Sequence, residues 1–133
     1  MAAFAIATAE ACDSNTSLLL IETRGEGRVL VIDGGGSKRC AVLGGNLAQS
    51  AQNIGWAGII VNGCIRDVDE INACDIGVRA LGSNPLKPNK KAIGDKHVPV
   101  YIGGTFIHEG EWLYADSDGI LISKMELSIW SSC

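Results

Sequence analysis

The chain has 133 residues, 47% of them hydrophobic and 20% charged, and a net charge of −4 from 11 Lys and Arg against 15 Asp and Glu. That length suits one domain, 1–133, and the composition is that of a chain with a packed core, not a disordered one. Scattered basic residues in an acidic chain argue against nucleic acid and anionic membranes as partners, and no apolar run approaches the ~18 residues a membrane helix needs.

The apolar runs at 2–9 and 18–21 are short, and no Lys or Arg precedes Arg24. This start fits neither a secretory signal nor an Arg-rich transit peptide, so a cytoplasmic location is expected. Residues 29–32 (Val-Leu-Val-Ile) form a β-branched run ending at Asp33 and three glycines, Gly34 to Gly36, which reads as a buried strand and a sharp turn. A second run, 40–43, stops at Gly44 and Gly45. Asn46 is the expected N-cap of a helix through Leu47, Ala48, Ala51 and Ile54, with Gly55 as its stop. Residues 58–61 are a third buried strand, so strand, helix and strand make a βαβ unit with parallel strands.

The segment 62–67 (Asn-Gly-Cys-Ile-Arg-Asp) then forms a polar cluster after that strand, followed by a short helix with Val68 and Ile71 on one face and Asp69 and Glu70 on another. A weaker strand is expected at 78–81. Pro85, Pro88, Lys87, Lys90 and Lys91 mark a solvated loop. Short strands at 98–102, 105–107, 112–114 and 120–122 are punctuated by Gly103-Gly104, Glu109-Gly110 and Asp118-Gly119, a hairpin-rich half, and 123–130 could form a terminal helix. The expected architecture is a mixed α/β domain with strands in more than one layer.

Several motifs carry little chemistry. Gly34 to Gly36 with Ser37 and Lys38 lack the spacing of a phosphate loop. Asp116-Ser117-Asp118-Gly119 lacks the later ligands of a calcium loop and reads as a turn. His97 and His108 have no Ser or Cys elbow beside them and read as ordinary polar positions. The five cysteines at 12, 40, 64, 74 and 133 are odd in number and contain no C-x-x-C, so neither a disulfide framework nor structural zinc is expected. What remains is the pair of loops around Gly44-Gly45-Asn46-Leu47 and Arg66-Asp67. If their strands are adjacent, the loops share one crevice. Backbone amides at Gly44 and Gly45 could meet a carboxylate at a helix start. Arg66 could add a fork of donors, Asp67 a hard oxygen ligand for Mg²⁺ or Mn²⁺, and Glu70 a hold on a metal-bound water. On composition alone a surface ion pair or a helix start is the plainer account of Arg66-Asp67, because such dipeptides are common.

Gly45, twenty intervening residues, Arg66-Asp67, two more and Glu70 resemble the signature of class II 4-hydroxy-4-methyl-2-oxoglutarate aldolases, which share a superfamily with the regulator of ribonuclease activity A. The blocks Val31-Ile32-Asp33-Gly34-Gly35-Gly36, Gly55-Trp56-Ala57-Gly58, Val61-Asn62-Gly63-Cys64-Ile65-Arg66-Asp67 and Glu111-Trp112-Leu113-Tyr114-Ala115-Asp116 strengthen the resemblance, most of all to plant members. It implies a swivelling β/β/α-type domain assembled as a trimer or hexamer, with active sites where subunits meet. It also implies cleavage of 4-hydroxy-4-methyl-2-oxoglutarate to two pyruvates through a metal-stabilised pyruvate enolate, with secondary oxaloacetate decarboxylation through the same enolate. By position, Gly44, Gly45, Asn46, Leu47 and Arg66 would bind this small oxo-dicarboxylate, Asp67 would hold Mg²⁺ or Mn²⁺, and Arg66, Asp67 and Glu70 would serve catalysis. Members that inhibit a ribonuclease tend to lack the acid at the Glu70 position, and a non-catalytic, partner-binding regulator is the alternative. One departure stands out: between about residues 15 and 18 the chain lacks a segment of several tens of residues that the family carries, which is expected to weaken folding or assembly, or to leave the shortened form inactive.

Overall fold

The structure is a computed structural model that describes residues 24–36, 38–86, 99–116 and 118–127, and the backbone of 3–8 and 94–96. Its centre is a six-stranded sheet. The strands are β1 (Ala3–Thr8), β2 (Val29–Asp33), β3 (Ala41–Leu43), β4 (Gly58–Ile65), β5 (Gly77–Ser83) and β6 (Gly94–Lys96), with helices α1 (Gly45–Asn53) and α2 (Val68–Ala73) between them. Two antiparallel hairpins follow, β7 (Val100–Ile102) with β8 (Thr105–Ile107) and β9 (Trp112–Ala115) with β10 (Ile120–Ser123).

β4 organises the sheet. Its first residues pair in parallel with β2, from Val29 opposite Gly58 to Asp33 opposite Asn62. Its last residues pair with β3, Ala41 opposite Cys64 and Leu43 opposite Ile65. β2 and β3 therefore occupy consecutive stretches of one edge of β4, and β5 runs parallel along the other. Beyond β2 lie β1, parallel to it, and β6, antiparallel to β1. Period-two alternation sorts the apolar residues to two faces. Leu30, Ile32, Ile59 and Val61 pack with Leu43, Trp56, Ala48 and Ala51 of α1 and Ile71 of α2. Val29, Val31 and Ile60 pack with Val100, Ile107 and Leu113 of the hairpins. Helices, sheet and hairpins thus form the β/β/α layering expected, and β3, α1 and β4 are the βαβ unit.

The structure departs from the sequence reading at several points. Residues 62–65 continue β4 as strand: Asn62 still pairs with Asp33 of β2, and Cys64 and Ile65 have partners in β3 on one edge and β5 on the other. The N-cap of α1 is Gly44, with no side-chain cap bond; Asn46 sits inside the first turn, since the chain leaves β3 directly into the helix. Gly55, at φ 94°, follows the helix end as expected. Ser123 closes β10 and 124–127 are not helical: the Ser123 hydroxyl donates to Met125 O at 2.6 Å and Leu127 N–H to the Tyr114 hydroxyl at 2.8 Å. These local bonds replace the expected helix, whose remainder, 128–130, lies outside the described residues. So do 9–23, Ser37, Lys87, Pro88, Lys90, Lys91, His97, Ser117 and Cys133. β1 and β6 were not anticipated. Among the described residues no helix is long and apolar enough to cross a membrane.

Candidate functional site

The two loops singled out in the sequence meet at the carboxyl ends of β3 and β4. Arg66 N–H donates to Leu43 O at 2.9 Å, which ties the end of β4 to the residue before Gly44. Gly45 N–H donates to the Asp67 carboxylate at 3.1 Å. The Arg66 Nε lies 3.9 Å from the same Asp67 oxygen. Arg66 is mostly buried and Asp67 half-exposed, with side-chain exposures of 13% and 43%.

The two glycines stand at close approaches to side chains of the other loop. A Cβ on Gly44 would stand 2.7 Å from the Arg66 guanidinium, and one on Gly45 would collide with the Glu70 carboxylate. Arg66 therefore lies against bare backbone, and Glu70 and Asp67 flank Gly45. Asp67 adopts φ 58° and ψ 47°, the left-handed region, which costs an L-residue energy but is tolerated best by Asn and Asp. That turn carries the chain from β4 into α2, with the Asp67 carboxylate bonded across to the start of α1. Such a backbone, held by its surroundings, is a common mark of functional sites.

The site differs in one respect from the sequence reading. Gly45 N–H is not open to a ligand, because Asp67 already occupies it as the anion at the helix start. Asn46 is exposed and Leu47 is half-buried against the helix-side core; their amides lie in the first turn of α1, where no intrahelical acceptor serves them. Among the described residues no three His, Cys, Asp or Glu side chains cluster to hold a metal. Two hard carboxylates, Asp67 and Glu70, fit a weakly held Mg²⁺ or Mn²⁺ that keeps most of its waters.

Other motifs are spent on structure. Asp33 Oδ1 accepts from Gly35 N–H and from Asn62 Nδ2, both at 2.9 Å. Asn62 O accepts from Gly34 N–H at 3.0 Å and Gly36 N–H at 3.1 Å, so amides that a phosphate loop would turn outward are turned onto β4. Asp116 Oδ1 accepts from Asp118 and Gly119 amides at 2.8 and 3.2 Å, the turn that the sequence suggested. His108 Nδ1 lies 3.0 Å from Glu111 Oε1 in the hairpin layer. Burial alone would raise the Glu111 carboxyl, but the His108 backbone N–H and ring, with Lys124, outweigh it and hold it below its ordinary value. The sequence reading missed the Asp33–Asn62 link; an Asp before glycines is its local signal, but Asn62 is 29 residues away.

Three layers with an Arg-Asp pair packed against Gly44 and Gly45 at the carboxyl end of a βαβ unit define a small β/β/α domain. The chain belongs to the RraA-like family: it matches the description "RraA-like: Aldolase/RraA" over residues 2–122. It is 58% identical to an Arabidopsis thaliana protein named "Putative 4-hydroxy-4-methyl-2-oxoglutarate aldolase 3", covering 97% of this chain and all of that one. The alignment spans 168 positions, more than the 133 residues of this chain, so the relative has residues with no counterpart here. A solved structure from Geobacillus kaustophilus, described as an S-adenosylmethionine: 2-dimethylmenaquinone methyltransferase, is 40% identical with a TM-score of 0.87 over 95% of this chain and 77% of that one. The RNA-processing inhibitor RraA from Thermus thermophilis is 39% identical with a TM-score of 0.86, covering 95% and 76%.

Proposed function

We propose that the chain is a divalent-metal-dependent aldolase that cleaves 4-hydroxy-4-methyl-2-oxoglutarate to two pyruvates, with oxaloacetate decarboxylation as a second activity of the same site. The observation that carries this reading is the Asp67 carboxylate. It is bonded to Gly45 N–H, is half-exposed beside Arg66, and shares the surroundings of Gly45 with Glu70. The name of the Arabidopsis relative supports the substrate.

In this reading Asp67, helped by Glu70 through a water, would hold Mg²⁺ or Mn²⁺, which would supply Lewis acidity to a bound oxo acid. Arg66, backed by Gly44 and mostly buried, binds a substrate carboxylate and offsets the negative charge that develops as the C3–C4 bond breaks. A water held by Glu70 takes the proton of the 4-hydroxyl group. The C–O electrons then form the carbonyl of one pyruvate while the C–C pair becomes the enolate of the other, and protonation at C3 completes the second pyruvate. Loss of carbon dioxide from oxaloacetate leads to the same enolate, so one set of residues serves both substrates. Assembly as a homotrimer or hexamer belongs to the same proposal and is checked by sedimentation.

The test is pyruvate release from each substrate by the purified chain, with Mg²⁺, with chelator, and in Asp67→Ala. Metal-dependent release that the variant loses is the expected result; no release from folded wild type overturns it. The second reading, a regulator that binds a ribonuclease or other protein, draws on the Thermus neighbour. Partner binding that survives both chelator and Asp67→Ala would favour it. A methyltransferase reading finds no cofactor loop in the Gly34 to Gly36 turn, whose amides at 34 and 36 are spent on Asn62.

A further inference from the structure

We infer that Asn84 is a positioning residue that sets the spacing between Arg66 and the Gly44-Gly45 loop; its effect on turnover rests on the aldolase reading, its effect on the loops does not. Asn84 follows β5 and is half-buried. Three of its groups are used. Its backbone N–H donates to Ile65 O at 2.9 Å, one residue before Arg66. Its side-chain Nδ2 donates to Lys38 O at 2.9 Å, ahead of β3. Its Oδ1 accepts from Leu86 N–H at 2.9 Å, and Leu86 O in turn accepts from Ala41 N–H, the first residue of β3, at 2.8 Å.

These bonds form a brace between the end of β4 and the start of β3. β3 needs one. It has three residues, and its register against β4 shifts between Ala41 and Leu43, so ladder bonds alone fix it weakly. At its far end Leu43 O receives Arg66 N–H, and Gly44 and Gly45 follow at once. The brace thus closes a circuit through Ile65, Asn84, Lys38, Ala41 and Leu43 back to Arg66. A slip of β3 would move Gly44 off the guanidinium it contacts and carry Gly45 N–H away from Asp67. Misplacement of about 1 Å in a site of this kind is costly to rate. Asn suits the position because one amide both donates and accepts. Asp keeps the acceptor but sets a carboxylate against the Lys38 carbonyl.

The experiment compares wild type with Asn84→Ala and Asn84→Asp by amide hydrogen exchange and by turnover. Exchange is expected to quicken about tenfold, the worth of a lost hydrogen bond, at 41–45 and 65–67, with 112–123 unchanged. Unchanged exchange at 41–45 in both variants overturns the brace, whether or not the chain is an aldolase. For turnover, Asn84→Asp is expected to lower kcat/KM about tenfold, and less than about twofold when Arg66 is already Ala, because Asn84 acts through Arg66. Equal losses in the two backgrounds would show a merely structural role and overturn the positioning. If wild type releases no pyruvate, the aldolase reading fails and the exchange result alone decides the inference. Should Asn84→Ala fail to fold, Asn84→Asp carries both measurements.

Discussion

The two faces of the sheet are built to different standards. On the helix face, Leu30, Ile32, Leu43, Ala48, Ala51 and Ile59 are wholly buried. On the other face two short hairpins cover Val29, Val31 and Ile60 but leave Tyr101, Phe106, Ile120 and Leu121 more than two-fifths exposed. A cavity of about 350 Å³, lined by Ile60, Ile102, Thr105, Ile107, Leu121 and Ile122 among others, remains between hairpins and sheet. The candidate site lies at the end of the well-packed βαβ unit, tied by backbone bonds such as Arg66 N–H to Leu43 O. A site that must hold two loops in fixed register lies beside the tighter of the two cores, with hydrogen bonds around the short β3 adding to its packing.

Substitutions on both faces would sharpen or break that contrast. The largest effect is expected from Asp67→Ala, which should reduce pyruvate release about a hundredfold or more while circular dichroism stays native, because the removed carboxylate is half-exposed. Retained activity would remove the site from this end of the sheet. Next, Leu30→Ala should cost about 4 kcal/mol, since a side chain locked between sheet and helices leaves a cavity that cannot collapse. Leu113→Ala should cost only about 2 kcal/mol, because its hairpin can settle into the space. Equal costs in urea unfolding would show that the hairpin layer is as rigid as the helical one. Smaller still, Gly45→Ala should destabilise by about 1 kcal/mol, because the Glu70 carboxylate it meets ends an exposed side chain that can turn aside; Gly45→Ala/Glu70→Ala should recover only part of that loss, since the Cβ of residue 70 stays 3.0 Å away.

Much of this face was legible in the sequence. Buried parallel strands are runs of Val, Ile and Leu, and glycines mark where they end, so β2, β3, α1 and β4 could be placed within a few residues. The Arg66, Asp67 and Glu70 spacing named the loops as well. What sequence could not show was long-range pairing. Asn62 and Gly63 look like a loop because neither favours a strand; pairing of Asn62 with Asp33, and of Cys64 and Ile65 with both β3 and β5, carries the strand through them. The segment Ala3–Thr8 is too short and apolar to announce its place beside β2, and Gly94–Lys96 has no strand propensity; β6 exists because β1 offers an edge. The left-handed backbone of Asp67, and the use of Gly45 N–H by its carboxylate, follow from tertiary contact across 22 residues. An Asn-Pro pair announces a turn, but not that Asn84 bonds to Lys38, 46 residues back.

The smallest expected effect tests the hairpin face itself. Glu111 accepts the His108 backbone N–H and lies 3.0 Å from its ring nitrogen. Its carboxyl is held below the ordinary value of 4.5: burial opposes this, and the His108 contacts and Lys124 prevail. A carboxylate whose folded pKa is depressed contributes stability above its unfolded pKa and loses it as pH falls through the folded one. Wild type should therefore lose stability on acidification below about pH 4.5 somewhat more steeply than Glu111→Gln. His108 is 54% exposed, so solvent screens the pair and the difference should stay under about 1 kcal/mol. Thermal unfolding of both proteins between about pH 3 and pH 7 reads it as converging midpoints at the acid end. Parallel curves would mean that the His108–Glu111 contact does not anchor the turn between β8 and β9. The hairpin layer would then be held by Val100, Ile107 and Leu113 alone, and the contrast between the two faces would be sharper still.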